Sequence, residues 1–344
     1  MKFVKISSFL LVGSTLTLLP VAAALAGPMD DPFGYFNVYS LNSINYPSSD
    51  FQGKAGAKGD VSLGGFSLAL LDPDGYSLHA GGKVTLGSGT YHGTIEAGGN
   101  TSLANATIYG SVISGGNVFN PADAGGTVFG DVHAAGNVNL TQPYTVYGQK
   151  TGGAAYTPSV DHQALVDYFI GFSDSMAGMA SSGAITNSFN ALSVTATAGI
   201  NVFNINASAL KNAYQFTVNG PKDAVVYVNI LGNGPADLDY TNWLYQGGIT
   251  TGDVLLNYGR QISALSLSSS NNVNILAPFA TTEFSSGLVT GNLIVGDLSG
   301  SGQVNLGHFD HGRTTEPVPE PATILLLGTG IAGLAGSGLR RKRN

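Results

Sequence analysis

A short repeat between residues 51 and 150 restricts the fold more than any other property of the chain. Five segments align: Ala57-Lys58-Gly59-Asp60-Val61, His79-Ala80-Gly81-Gly82-Lys83-Val84, Glu96-Ala97-Gly98-Gly99-Asn100-Thr101, Ser114-Gly115-Gly116-Asn117-Val118 and Ala134-Ala135-Gly136-Asn137-Val138. Their aligned glycines at 59, 82, 99, 116 and 136 are separated by 23, 17, 17 and 20 residues. A second motif interleaves: Tyr91-His92-Gly93, Ile108-Tyr109-Gly110, Val128-Phe129-Gly130 and Val146-Tyr147-Gly148. A unit this small cannot bury an apolar face alone, so neighbouring units must stack. Short strands joined at glycine corners, with inward Val, Ile and Leu, predict a β-solenoid rising about 4.8 Å per coil. The corner glycines are expected to supply positive φ. A β-sandwich of hairpins is the rival architecture.

Residues 161–181 break the pattern. Leu165, Phe169, Phe172, Met176 and Met179 recur at helical spacing, which predicts a helix lying along an apolar side of the solenoid. From Ala191 the alternation resumes in Ile200-Asn201-Val202-Phe203-Asn204-Ile205, Val225–Ile230, Val254–Tyr258, Val273–Pro278 and Gly291–Gly296. Its recurring asparagines predict side-chain amide ladders on a stacked turn. Only 10% of residues are charged and 49 are Gly, a composition that excludes a helical bundle. The predicted class is therefore all-β dominated: a β-solenoid (β-helix) with one flanking α-helix near residues 161–181 and a C-terminal single transmembrane helix.

Both ends read as addresses. Lys2 and Lys5 precede an apolar run from Ile6 to Pro20, and Ala24-Leu25-Ala26 is a small-x-small site, so cleavage is expected before Gly27. A retained N-terminal helix is the alternative. Ala322–Leu339 carries no charge over 18 residues; as a helix it would reach about 27 Å, close to a bilayer's hydrocarbon thickness. Arg340, Arg341, Lys342 and Arg343 follow and would hold that end in the cytoplasm. Pro319-Glu320-Pro321 stands just before the span. This tripartite tail resembles the PEP-CTERM sorting signal of Gram-negative bacteria. The resemblance implies processing by an exosortase, transient inner-membrane insertion, and delivery to the cell surface or the exopolysaccharide matrix. A permanent C-terminal anchor is the plain reading. Residues 1–26, 34–310, 311–318 and 319–344 are then signal peptide, body, linker and sorting signal.

The body resembles the choice-of-anchor A family, an adhesive module of bacterial surface proteins. The resemblance rests on Phe36-Asn37-Val38-Tyr39, the Gly-Gly-Asn repeats, Asn201-Val202-Phe203-Asn204, Leu256-Asn257-Tyr258, Ile275-Leu276-Ala277-Pro278, and Gly287–Gly296 followed by Gly302-Gln303. Tyr258 departs from the Phe expected there. The family implies adhesion or matrix association without naming a ligand.

A search for chemistry gives little. The chain has no Cys, which removes disulfide, thiolate-metal and cysteine-nucleophile chemistry. Outside the signal and the basic tail eight basic residues face 21 acidic ones, a balance that excludes nucleic-acid binding by charge. His79 and His133 hold equivalent positions before the corners and read as solvated or hydrogen-bonded loop histidines rather than metal ligands; His308 and His311 read as linker. Asp72-Pro73-Asp74-Gly75 reads as a turn, with calcium as its functional alternative. No catalytic residue, metal ligand or cofactor is assigned, because no paired carboxylates recur in register. Adhesion to a surface or exopolysaccharide is the leading function. Ice binding is second, with Thr-x-Thr only at Thr195-Ala196-Thr197, and polysaccharide cleavage third. Exosortase and signal peptidase are the expected processing partners.

Overall fold

The computed structural model describes residues 29–310. The signal-cleavage residues, the linker, the sorting motif, the apolar span and the basic terminus lie outside the described residues, as does His311.

Successive coils pair in parallel and in register. Val84, Thr101, Val118 and Val138 form one inward column, and Leu78, Ile95, Val112 and Val132 form another. Parallel pairing between consecutive coils is incompatible with hairpins, so the sandwich alternative falls. Each coil has three faces. The first carries Ala55–Ala57, Tyr76–Ala80, Thr94–Ala97 and Val112–Ser114. The second carries Val84–Leu86, Thr101–Leu103 and Val118–Phe119, and the third Gly89–Tyr91, Ala106–Ile108, Gly126–Val128 and Tyr144–Val146.

The coils are not stacked in chain order. Val38–Ser40 pairs with Ala55–Ala57 on one side and with Leu293–Val295 on the other. The N-terminal half therefore climbs from this junction to Thr151, whereas the C-terminal half starts at the far end and climbs back to it. The helix His162–Gly178 makes the return journey along the first face. Its 17 residues span about 25 Å, and the five coil steps from Tyr39 to Asn204 span about 24 Å. One coil step also matches three helical residues. Ser173 Oγ donates to Asn257 Oδ1 at 2.6 Å, and one coil away Asn229 Nδ2 donates to the Met176 carbonyl at 2.9 Å. Asp161 caps the helix by accepting from Gln163 N and Ala164 N. Leu165, Val166, Phe169 and Met176 bury against Val202, Tyr227, Leu255, Leu276 and Ile294.

The expected amide ladders occur on a strand as well as on a turn. Under the helix, Asn257 Nδ2 donates to Asn229 Oδ1 and Asn229 Nδ2 to Asn204 Oδ1, at 2.9 and 3.2 Å. At the corner, Asn100 Oδ1 accepts from Asn117 N and Asn117 Oδ1 from Asn137 N, both at 2.8 Å.

The corner glycines do stack in one column: from Gly82 to Gly136 each N–H donates to the glycine carbonyl one coil below at 2.8–3.0 Å, and Gly59 N donates to the Asn42 carbonyl at 2.6 Å. Their expected role is corrected: none of the five has a positive φ. They are glycine because of the next coil. A Cβ on Gly116 would lie 2.3 Å from Asn100 Oδ1, and one on Gly98 would lie 2.2 Å from the Gly81 carbonyl oxygen. His308 is likewise corrected from linker to packed residue, its Nδ1 lying 3.0 Å from the Phe33 carbonyl. Tyr258 is fully buried and its hydroxyl has no hydrogen-bond partner, so the Phe expected there would pack without that cost.

Gly98→Ala should lower stability by about 2 kcal/mol, because the added methyl meets backbone that cannot rotate away. Gly171→Ala, on the exposed face of the helix with nothing within 4 Å, should raise stability by about 0.5–1 kcal/mol. Thermal melts of the two variants, moving in opposite directions, check the assignment.

Candidate functional site

The third face of the N-terminal half presents two outward ladders in register. Ser67, Thr90, Thr107, Thr127 and Thr145 are consecutive partners across five coils. Two residues further along each strand stand His92, Tyr109, Phe129 and Tyr147, with ring centroids 4.9, 5.1 and 5.3 Å apart and planes within 17° of parallel. Tyr91, Ile108 and Val128 lie between the two ladders and point into the core. Outward residues at i and i+2 of a strand are about 6.6 Å apart, so the face is a grid of one hydroxyl row and one aromatic row.

The glycine after each ring brings the rings into contact. A Cβ on Gly110 would lie 2.3 Å from Gly93 backbone atoms, and one on Gly148 2.4 Å from the Gly130 carbonyl oxygen. Only glycine lets these corners approach so closely. The rings then stack along the solenoid axis, with Tyr109, Phe129 and Tyr147 exposed by 52, 47 and 71%. Inside the ladder each ring face is covered by its neighbours, and ring edges and the Tyr hydroxyls meet solvent. Exposed aromatics in a contiguous row are uncommon on soluble surfaces and mark contact sites.

The sequence contains this pattern as Thr-x-aromatic-Gly in four copies, Thr90–Gly93, Thr107–Gly110, Thr127–Gly130 and Thr145–Gly148. The aromatic-Gly part is legible as a repeat marker. The threonines are hidden because a search for Thr-x-Thr within a strand misses a row with one Thr per coil.

A second cluster is buried. His79, expected as a loop histidine, sits on the strand Tyr76–Ala80 and is 1% exposed. It shares an outward column with Glu96, Ile113 and His133, as the equivalence of the two histidines predicts. Its Nδ1 lies 2.8 Å from Glu96 Oε2 and 3.0 Å from Ser159 Oγ, and its Nε2 lies 2.8 Å from the Tyr35 hydroxyl. Ser159 also binds Glu96 through both its hydroxyl and its N–H. Serine and carboxylate thus meet the same imidazole nitrogen. A nucleophilic relay needs them on opposite nitrogens, so this cluster is a clamp that fastens the 154–161 connector to the solenoid. Burial pushes the Glu96 carboxyl up, but hydrogen bonds from His79 and Ser159 outweigh it and hold the group below the ordinary range. Asp72, in the turn considered for calcium, receives the Lys54 ammonium at 2.7 Å.

Next to the clamp, burial and the proximity of His79 hold His162 down to about 4. Its Nδ1 lies 3.0 Å from the Tyr39 hydroxyl. A depressed imidazole favours the native state fully above its unfolded value of about 6.5, and that contribution fades as pH falls toward about 4. Between these limits wild type should lose on the order of 2 kcal/mol from this group. His162→Gln should flatten the pH 4–6.5 part of the stability profile, leaving the loss from Glu96 at lower pH; urea melts across pH measure it.

A family model described as an ice-binding-like adhesive domain matches residues 30–306, and the PEP-CTERM protein-sorting motif matches residues 317–342. No curated protein and no solved structure matches the chain. The sorting motif implies exosortase processing, and together the two matches mark an exported protein of the Gram-negative cell surface. The chain belongs to the ice-binding-like adhesive domain family and carries a PEP-CTERM sorting motif behind that domain.

Proposed function

We propose that the protein is a non-catalytic surface adhesin that holds exopolysaccharide against the Thr–aromatic face. The observation that carries this reading is the four-rung ladder from His92 to Tyr147 beside the threonine row. The open face of Tyr147 at the end of the ladder can take the C–H face of a pyranose, and along the ladder sugar hydroxyls pair with neutral donors and acceptors such as Thr and Tyr. A repeating polymer suits a repeating surface, since each coil offers the same pair of groups. Weak contacts in a row then add through avidity.

The threonine row supports ice binding as a second reading. Against it, the exposed rings form a crest beside the half-buried threonines, and that crest interrupts the flat plane an ice surface requires. Thermal hysteresis of the secreted protein tests this reading, and none is expected. Release of reducing sugar from the polymer would contradict the non-catalytic assignment.

Tyr147→Ala opens the exposed end of the ladder without touching the core. It should lower retention on the producing strain's exopolysaccharide about tenfold while leaving the melting temperature unchanged. Equal retention of variant and wild type would sink the proposal.

For maturation, we propose that signal peptidase cuts after Ala26. Ala322–Leu339 then spans the inner membrane transiently, with Arg340–Arg343 in the cytoplasm, while the exosortase acts at Pro319-Glu320-Pro321. Changing those three residues to Ala leaves the apolar span unaltered. The variant should keep a tag placed after Asn344 and stay cell-associated, whereas wild type should lose the tag and begin at Gly27 by intact mass. Equal masses for both would leave only a permanent anchor.

A further inference from the structure

The third face is interrupted in the C-terminal half. Asn242–Gln246 forms a strand there, and so does Leu288–Thr290, but the coil between them contributes only a single bridge, Asn271 to Val289. The skipped strand leaves a cleft of about 250 Å³. Tyr240, Asn242, Trp243, Ser270, Asn271 and Asn272 line it.

The cleft is built rather than accidental. Trp243 stacks on Phe216 with centroids 4.9 Å apart, and its Nε1 donates to Asn271 Oδ1 at 3.0 Å. Asn271 Nδ2 donates to the Asp239 carbonyl at 3.3 Å, and the Tyr245 hydroxyl donates to the Asn272 carbonyl. These bonds fix the floor. On the rim, Tyr240 is 59% exposed and Asn242 and Asn272 are exposed.

The lining decides the class of ligand. It has no Lys, Arg, Asp or Glu, so nothing in it neutralises a phosphate, a uronate or a cation. It offers amides, which donate and accept at once, a Ser hydroxyl and an open aromatic ring. Neutral donors and acceptors around an apolar platform match the alternating hydroxyls and C–H faces of an uncharged sugar. We propose that this cleft is a second saccharide site, selective for neutral glycans. It rests on the same adhesive reading as the aromatic ladder but on different residues in the other half of the solenoid. One molecule would then grip glycan at two places and could bridge two chains.

The chain contains one Trp, and it lies in this cleft, so its fluorescence reports on the site alone. The secreted protein is titrated with cellohexaose, laminarihexaose and mannohexaose, with hexagalacturonate as the anionic comparison. At least one neutral hexasaccharide should shift Trp243 emission saturably, and hexagalacturonate should not. Tyr240→Ala and Asn242→Ala, both exposed, should each weaken that response about tenfold, and Tyr147→Ala should leave it unchanged. A flat signal with all three neutral sugars, an equal response to the uronate, or indifference to both rim substitutions would overturn the assignment. None of these results bears on polymer retention through the ladder, which Tyr147→Ala reads separately.

Discussion

The solenoid depends on one seam coil, Val38–Ser40 with Ile44–Phe51. Both strands pair with the N-terminal coils on one side and the C-terminal coils on the other, and without them the two halves would be two stacks with bare edges. Side chains lock the seam on both sides. Asn292 Nδ2 donates to the Phe33 and Phe36 carbonyls, Asn37 Nδ2 donates to the Gly291 and Asn305 carbonyls, and Ser40 Oγ donates to the Gly296 carbonyl. Phe33 packs among Phe169, Phe172 and Phe309, so the helix and the segment around Phe309 join at the same point. Buried amides of this kind are costly when half-satisfied and specify register when fully satisfied.

The stack also explains why glycine is so abundant. At the two corner columns the coils approach until a Cβ would crowd or overlap the adjacent coil, and the same close approach aligns the rings from His92 to Tyr147. Structural and functional demands on the N-terminal half are thus one demand. The surface a ligand would meet is regular because the core beneath it is regular.

Much of this was legible in the chain itself. Glycine spacing predicts the stacked coils, the Leu165–Met176 periodicity predicts the helix, and the asparagines predict the ladders. Two things were not legible. The order of the coils depends on pairing between residues about 255 apart in sequence, such as Val38 and Leu293, and no local pattern encodes that. The reason for the corner glycines lies in atoms of the adjacent coil, which a sequence read one segment at a time cannot supply. The neutral cleft is invisible for a related cause: it is made by a strand that is missing, and Ser268–Asn272 reads as an ordinary loop.

The seam has a mechanical consequence. The chain leaves the domain through residues 307–310, which are fastened beside the helix by Phe309 N to Asn292 Oδ1 and Asp310 N to the Gly252 carbonyl. A pull applied at Asp310 and resisted at Tyr109–Tyr147 must cross the coils above the seam. Those coils are held by parallel backbone bonds that lie along the axis and would be loaded one after another. Once the Phe309 and Asp310 contacts have peeled, the coils below the last one, with their helix and amide ladder, lie outside that load path. Tension on the adhesin would therefore peel the Asp310 and Phe309 contacts first and reach the seam next through Gln303–Asn305, leaving the C-terminal coils below that strand slack.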